Sequence, residues 1–316
     1  AGHRVGAYTS PHLLAYNERV RIDGRDAGDA ALVAAFEAVE GARGDTALTY
    51  FEYGTLAALW LFQREALDLA VLEVGLGGRL DAVNLVDADV AVITSVDLDH
   101  QEWLGGDREA IGLEKAGVMR SGRPVVLGEV DPPASVLRHA YAIGAFAIRA
   151  GSDYLVDRHE DHWTWREPGY QVELPWPALA APVQVWNAAA AVAALRASHL
   201  RLSREALAQG VAAARVPGRL QAWPRGDGAQ LLLDVAHNPQ AAREVAHWLS
   251  RHPVPGRCRV LLGMLADKDV EGVAAALGGQ VDEWWPVDLR PESPRGLAPD
   301  ALGRRLQAVD GASRVH

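Results

Sequence analysis

The sequence predicts an α/β protein organised as two parallel-sheet domains. Three observations carry that expectation. Short apolar runs alternate with helical apolar spacing along all 316 residues. Several runs end in Gly or in tight groups of polar residues, the pattern of strands feeding into ligand-facing loops. No repeat of about 20–50 residues and no low-complexity tract interrupts the alternation.

Taken in order, Asp29 to Gly41 reads as a helix with an N-cap Asp and a closing Gly, and Tyr53 to Glu65 as a second. Asp68 to Val74 and Ala88 to Ser95 are continuous apolar runs, the length of central parallel strands covered on both faces. Asp107 is placed to cap a helix through Ala116 that closes at Gly117, and Pro124 to Gly128 reads as a third strand. Tyr154 to Leu174 changes to alternating, aromatic and His-rich text, a small antiparallel excursion. Helices are expected over Val185 to Ser198 and Ser203 to Ala214, then a hinge at Val216-Pro217-Gly218. Beyond it, Gln230 to Val235 and Arg259 to Gly263 read as strands, each followed by a helix, and no segment after Arg295 reads as a closing strand. The expected domains are therefore residues 1–216 and 217–316.

Composition narrows the function. Hydrophobic residues make up 49%, enough for a sizeable core, and the 31 basic and 41 acidic residues leave a formal charge of −10, which argues against a nucleic-acid surface. The single Cys258 excludes an internal disulfide and fits a reducing cytoplasm. The opening Ala1-Gly2-His3-Arg4 has no charged-then-apolar leader, and Ala178 to Leu195, the longest weakly polar stretch, is broken by Gln184 and Asn187; no membrane span is expected. Without heptads or a large apolar stripe, the chain is expected to be a monomer. Lys115 and Lys268 are its only lysines. Genomic bias toward arginine explains most of that, but a compact, deprotonatable amine is something arginine cannot supply.

Three strand ends are loaded with polar groups. Glu73 falls within or at the end of an apolar strand, where a lone carboxylate costs several kcal/mol unless paired or metal-bound, and the glycines after it allow backbone approach to a ligand. Gly75-x-Gly77 is a weak dinucleotide signal, because the third glycine position is Leu80. Ser95-Val96-Asp97-Leu98-Asp99-His100 gathers hydroxyl, carboxylates and imidazole; it suits a capping turn, or a divalent ion shared between Glu73 and His100 on neighbouring strands, although imidazole is atypical for Mg²⁺. At Asp234 to Pro239, Asn238 is a good N-cap and Pro239 a good first helical residue, leaving backbone N–H groups for an anion.

Eight motifs stand in one order: Tyr8-Thr-Ser-Pro-His12, Phe51-Glu-Tyr-Gly-Thr55, Glu73 to Asn84, Leu98-Asp-His100, Glu114-Lys-Ala-Gly117, Pro217-Gly-Arg219, Asp234 to Pro239 and Gly263 to Asp269. Together they resemble the bacterial bifunctional dihydrofolate synthase/folylpolyglutamate synthases of the Mur ligase superfamily, over nearly the whole chain except Glu129 to Pro182. The resemblance implies a P-loop-type parallel-sheet ATPase domain followed by a smaller Rossmann-like domain. It implies ATP-dependent joining of L-glutamate to 7,8-dihydropteroate and to reduced folates through an acyl phosphate, in the cytoplasm. Ser10, Glu73 and His100 match the family's Mg²⁺ positions, and Lys115 a lysine that is carbamylated there. Thr49, Tyr50, Phe51 and Glu52, with Leu80, Asp81 and Ala82, match segments that bind dihydropteroate. Asn187, Arg219 and Asp234 match ATP-holding positions, His237 a neighbour of the nucleotide or glutamate, and Lys268 more weakly the glutamate or phosphate end. The nucleotide is expected between the domains, with closure near Pro217.

One departure stands out. No Gly-rich loop ending in Gly-Lys-Ser/Thr occurs among the 316 residues. In the family that loop precedes the segment matching Ala1 to His12, so the chain is expected to begin inside that unit and to stop before the last strands, and not to turn over by itself. Three other functions compete: a peptidoglycan-precursor ligase, which lacks the Phe51 and Arg79-Leu80-Asp81 segments; a non-catalytic nucleotide- or pterin-binding remnant; and a dinucleotide oxidoreductase resting on Gly75-x-Gly77.

Overall fold

The computed structural model describes residues 2–226, 228–311 and 314–316. Ala1, the first residue of the opening tetrapeptide, lies outside them. The chain divides into two compact units, Ala1–Trp176 with Trp186–Ala212, and Pro177–Val185 with Ala213–His316.

The first unit opens with β1 (Val5–Tyr8), β2 (Val20–Ile22) and β3 (Arg25–Asp26), then α1 (Asp29–Arg43), α2 (Tyr50–Arg64) and β4 (Leu69–Leu72). The sheet runs β3-β2-β1-β4, with β1 and β4 parallel and the others antiparallel. Asp23 and Gly24, at φ 52° and 77°, turn β2 into β3; two consecutive left-handed residues are what a two-residue hairpin of matching twist requires. Tyr8 and Val20 from this sheet pack with Leu32, Ala35 and Val39 of α1 and with Ala57, Ala58, Leu61 and Phe62 of α2.

Next come β5 (Ala91–Ile93), α3 (Gln101–Leu104), α4 (Arg108–Ala116), β6 (Pro124–Leu127), α5 (Ala134–Ile143) and β7 (Phe146–Arg149). The three strands form a parallel sheet in the order β5-β6-β7, and Ile93, Val125 and Leu127 bury against Ile111 of α4 and Val136 and Ala140 of α5. The antiparallel excursion is β8 (Leu155–Arg158), β9 (His162–Glu167) and β10 (Tyr170–Pro175). Its buried Trp163 and Trp165 satisfy their indole N–H groups on the carbonyls of Pro175 and Ala189, at 2.9 and 3.1 Å. Helices α6 (Gln184–Ala197) and α7 (Arg204–Ala213) follow.

In the second unit, β11 (Gln221–Pro224) pairs antiparallel with β12 (Gln230–Leu233). After α8 (Pro239–Arg251), β13 (Arg259–Leu262) pairs in parallel with β14 (Glu283–Pro286), with α9 (Val270–Leu277) between them and α10 (Pro299–Asp310) after. Trp284 sits fully buried among Leu262, Val273, Leu302 and Leu306, and its indole N–H donates to Asp310 Oδ2 at 2.7 Å. Cys258 is half-buried; its backbone N–H donates to Asp282 Oδ2 at 2.7 Å, and burial, with Asp282 nearby, pushes its thiol pKa up. No helix among the described residues is long and apolar enough to cross a membrane.

Several expectations are corrected. Gly28, not Asp29, is the cap of α1, and the helix runs through Gly41 to Arg43, closing at Gly44. A mid-helix Gly costs only about 1 kcal/mol, too little to end a helix whose buried face continues to Val39. Helix α2 starts at Tyr50, three residues early, because Thr49 and Glu52 form a reciprocal capping box. Strand β4 is not covered on both faces: it is the edge of its sheet, with Ala70 and Val71 exposed, and β5 likewise ends its own sheet with Val92 exposed. Glu73 and His100 therefore do not follow neighbouring strands of one hydrogen-bonded sheet. In the second unit, β12 belongs to an antiparallel pair rather than to a parallel sheet. Beyond Arg295, Val315 forms a parallel bridge with Trp284, a one-residue extension too short to leave a sequence signal.

Candidate active site

The parallel register of β1 and β4 aligns Tyr8 with Leu72, so the two chains leave the sheet side by side. The Glu73 N–H donates to the Tyr8 carbonyl at 2.9 Å, and Glu73 Oε2 accepts the Ser10 N–H at 2.8 Å. Two predicted metal-side residues, 63 positions apart, thus meet at one strand end. Glu73 is solvent-exposed, so the burial penalty expected from its strand position does not apply.

The loop that follows is braced from within. Asp81 Oδ2 accepts the N–H groups of Gly75 and Leu76 at 3.0 and 2.9 Å, and Oδ1 that of Val83 at 2.9 Å. The Phe51 ring lies over Gly75, where a Cβ would come within 2.6 Å of it, and it meets Tyr8 at a ring separation of 5.8 Å. The loop also presses onto the end of α4. A Cβ at Gly78 would stand 2.9 Å from the Glu114 carbonyl oxygen, and one at Gly117 2.5 Å from the Arg79 Cα, so only glycine permits this approach. Arg79 grips Glu114 with Nε and Nη2 at 3.0 and 2.9 Å.

Of the predicted pteroate segment, Thr49 and Glu52 spend their side chains on the helix start: Thr49 Oγ1 accepts the Glu52 N–H at 3.2 Å and Glu52 Oε2 the Thr49 N–H at 2.7 Å. Tyr50 is exposed beneath the Arg19 guanidinium, which lies 5.5 Å from its ring and 5.5 Å from that of Tyr16. Arg19 Nε also donates to His12 Nδ1 at 2.8 Å, so that nitrogen is an acceptor. Leu80 is exposed and Ala82 opens the short turn capped by Asp81.

His100 adopts a left-handed conformation, φ 51° and ψ 39°, a region that His enters more readily than most residues with a Cβ. Lys115 occupies the last turn of α4 as expected, and it is not a solvated helix-end cation: burial lowers its pKa, while Asp99 and Glu129 work to raise it. Ser10, Glu73 and His100 include two residues of the His/Cys/Asp/Glu type, and among the described residues no group of three or more such side chains could hold a metal. The oxygens of Ser10 and Glu73 suit a hard divalent ion, for which the His100 imidazole is the atypical donor, and phosphate oxygens and water can fill the rest of its shell.

In the second unit, Asp234 Oδ2 accepts the Leu220 N–H at 2.7 Å and Oδ1 the Ala236 N–H at 2.8 Å, while the Val235 N–H donates to the Gly218 carbonyl at 2.9 Å. Leu220 is held at φ 44°. Asn238 caps α8 through the Ala241 N–H, with Pro239 at its first turn, as the sequence predicts. His237 Nδ1 meets the Val235 carbonyl at 3.0 Å, and His237 and Arg219 are exposed. Lys268 is half-buried beside α9. Asn187 belongs to α6 in the first unit.

Sequence reasoning missed four charged residues. Glu18 accepts the N–H groups of Leu13, Leu14 and Ala15 at 2.9, 2.8 and 2.9 Å, which pull its pKa down to about 2. Arg19, Arg108 and Glu129 are the others. Glu129 carried the same signal as Glu73, an acid just past an apolar strand.

Comparison with known proteins identifies the chain. The Mur ligase, glutamate ligase domain family matches residues 218–316. The dihydrofolate synthase/folylpolyglutamate synthase of Escherichia coli K12 is 46% identical over 307 residues, which span 97% of this chain and 71% of that protein. This chain belongs to the dihydrofolate synthase/folylpolyglutamate synthase family. E. coli FolC, solved in complex with DHPP and ADP, superposes with a TM-score of 0.92 over 97% of this chain and 72% of its own. A bifunctional folylpolyglutamate synthase/dihydrofolate synthase with Mn, AMPPNP and L-glutamate bound is 47% identical, with a TM-score of 0.90, covering 100% of this chain and 74% of its own. Membership of this family bears out the α/β fold and the ordered-motif resemblance, and decides against the peptidoglycan-precursor and oxidoreductase alternatives.

Proposed function

We propose that this protein joins L-glutamate to 7,8-dihydropteroate and to reduced folates at the expense of ATP. The observation that carries this reading is the convergence of Ser10, Glu73, Phe51 and Asp81 at the joint end of β1 and β4, in a chain that is 46% identical to a dihydrofolate synthase/folylpolyglutamate synthase. A pteroate carboxylate is a poor electrophile. Its oxygen attacks the γ-phosphorus of ATP, the bond to ADP breaks, and an acyl phosphate forms. The glutamate amine then attacks the acyl carbon, loses a proton, and phosphate leaves as the amide forms.

Each residue has an assigned part. Phe51, with Thr49, Tyr50 and Glu52, and the Leu80-Asp81-Ala82 turn line the pterin side, where aromatic packing and a loop held by Asp81 keep the acceptor still. Ser10, Glu73 and His100 would hold Mg²⁺, and Lys115, as a carbamate, would add an anionic ligand; the lowered pKa of its amine favours the neutral form that reacts with CO₂. When bound, the ion spreads the charge of the transferring phosphoryl group. Asn187, Arg219 and Asp234 are the nucleotide residues, His237 stands beside nucleotide or glutamate, and Lys268 faces glutamate or phosphate. Residues 1–216 form the ATP- and pterin-binding domain in this reading, and 217–316 the glutamate-ligase domain. The protein works as a cytoplasmic monomer.

The test gives Mg-ATP, L-glutamate and either dihydropteroate or a reduced folate to the whole gene product and, separately, to this 316-residue chain, with products weighed by mass spectrometry. Glutamate on both acceptors from the whole gene product, and none from the 316 residues alone, is expected. Addition to the folate alone would leave a polyglutamate synthase, and no adduct from either would make the protein a binding remnant.

A further inference from the structure

We propose that Arg108 and Glu129 act as one positioning unit, fixing the His100 loop against the Lys115 helix for metal and nucleotide binding. The inference rests on the metal-side reading of His100 and Lys115 given above. Three segments carry it: the loop after β5 that leads to His100, the start of α4, and the loop after β6. Arg108 Nε donates to the Val96 carbonyl at 2.8 Å; the Val96 N–H donates to Glu129 Oε1 at 3.1 Å; Arg108 Nη2 donates to Glu129 Oε2 at 3.0 Å and to the Asp131 carbonyl at 3.2 Å. The bonds close a ring around Val96, which is 2% exposed. His100 lies four residues beyond Val96. Lys115 lies seven beyond Arg108 on the same helix, about 10 Å along its axis, where it feels Glu129 directly.

The elements that the ring joins have anchors of their own. Helix α4 is already capped by Asp107, whose Oδ1 accepts the Ala110 N–H at 2.8 Å. The β5–β6 pairing is already extended by the Gly128 N–H on the Ile93 carbonyl at 2.8 Å. An exposed ion pair adds little stability. This pair reaches buried backbone instead, and it half-buries Glu129, whose pKa burial raises against the pull of Arg108 and the Val96 N–H. A rigid link between loop and helix is what that arrangement supplies. Residues that orient metal ligands in this way are worth about 10–100-fold in metal affinity.

The experiment uses the whole gene product and Mn²⁺ as the probe, its free fraction read by electron paramagnetic resonance with and without ATP. Arg108→Met and Glu129→Gln are each expected to weaken Mn²⁺ binding about tenfold, with the KM for dihydropteroate unchanged. The double variant should be no weaker than the worse single one, because both break the same ring. Arg108→Lys, which keeps the charge but cannot fork to Val96 and Glu129, should recover part of the affinity, and it decides the matter if Arg108→Met fails to fold. Wild-type Mn²⁺ affinity in the folded variants, or additive losses, would overturn the proposal. Glu73→Gln is the control: if it too leaves Mn²⁺ binding untouched, the underlying metal reading has failed, and the positioning role falls with it.

Discussion

The two units build their candidate sites on the same device and finish them differently. In each, an acid just past a strand takes backbone N–H groups from another segment: Glu73 from Ser10, Asp234 from Leu220. In the first unit the loop is then packed, with Phe51 over Gly75 and with Gly78 and Gly117 pressed between loop and helix. In the second, Asp234, Arg219 and His237 are exposed and the turn rests on local hydrogen bonds, while β11 and β12 leave Trp223, Leu231 and Leu233 exposed. Packing fixes a site before its ligand arrives; hydrogen bonds over 14 residues hold only a turn.

The largest expected effect tests the chemistry of the packed site. Lys115→Ala in the whole gene product should lower kcat about 100–1000-fold, with partial rescue by short carboxylic acids; full activity would return Lys115 to a structural role. Glu73→Gln should weaken metal binding and raise the Mg²⁺ requirement of ligation about 10–100-fold, read from initial rates against Mg²⁺ concentration. Gly117→Ala attacks the packing itself. The new methyl meets the Arg79 backbone, so the variant should lose about 1–3 kcal/mol of stability and weaken dihydropteroate binding, followed by thermal melting and calorimetry. Asp234→Ala leaves two N–H groups without their acceptor, that of the buried Leu220 and that of the more exposed Ala236; it should cost about 1–3 kcal/mol and weaken ATP binding more than pterin binding. If Asp234→Ala lowered pterin affinity as much as Gly117→Ala, the contrast between the two sites would not stand.

The smallest effect near neutrality comes from Glu18. Its folded pKa is about 2, below the ordinary carboxyl value of 4.5, so its stabilising hold on residues 13–15 is complete above pH 4.5 and is lost as pH falls toward 2. Amide exchange at Leu13, Leu14 and Ala15 should be flat from pH 7 to about 5 after correction for intrinsic rates, and should rise below.

Much of this was readable in the chain because it is written locally. Asp107, Ala116 and Gly117 spell the start and end of α4, and Asn238-Pro239 the start of α8. The family resemblance was readable because eight motifs keep one order. The start of α2 lies three residues before the predicted Tyr53, where Thr49-x-x-Glu52 spells a capping box that apolar spacing alone does not register. The edge position of β4 was not readable, since an apolar run does not say how many neighbours a strand finds. Nor was the Arg108–Glu129 ring, which joins residues 21 apart through the peptide of a third and matches no motif.

Cys258 gives the second unit a chemical reporter of its own. It is the single thiol of the chain, half-buried, and poorly ionised because burial and Asp282 disfavour the thiolate. A maleimide or disulfide reagent therefore has one target among these 316 residues, and its rate reads the exposure and ionisation of that thiol. Labelling half-lives with and without nucleotide would report changes around Cys258 without any engineered label.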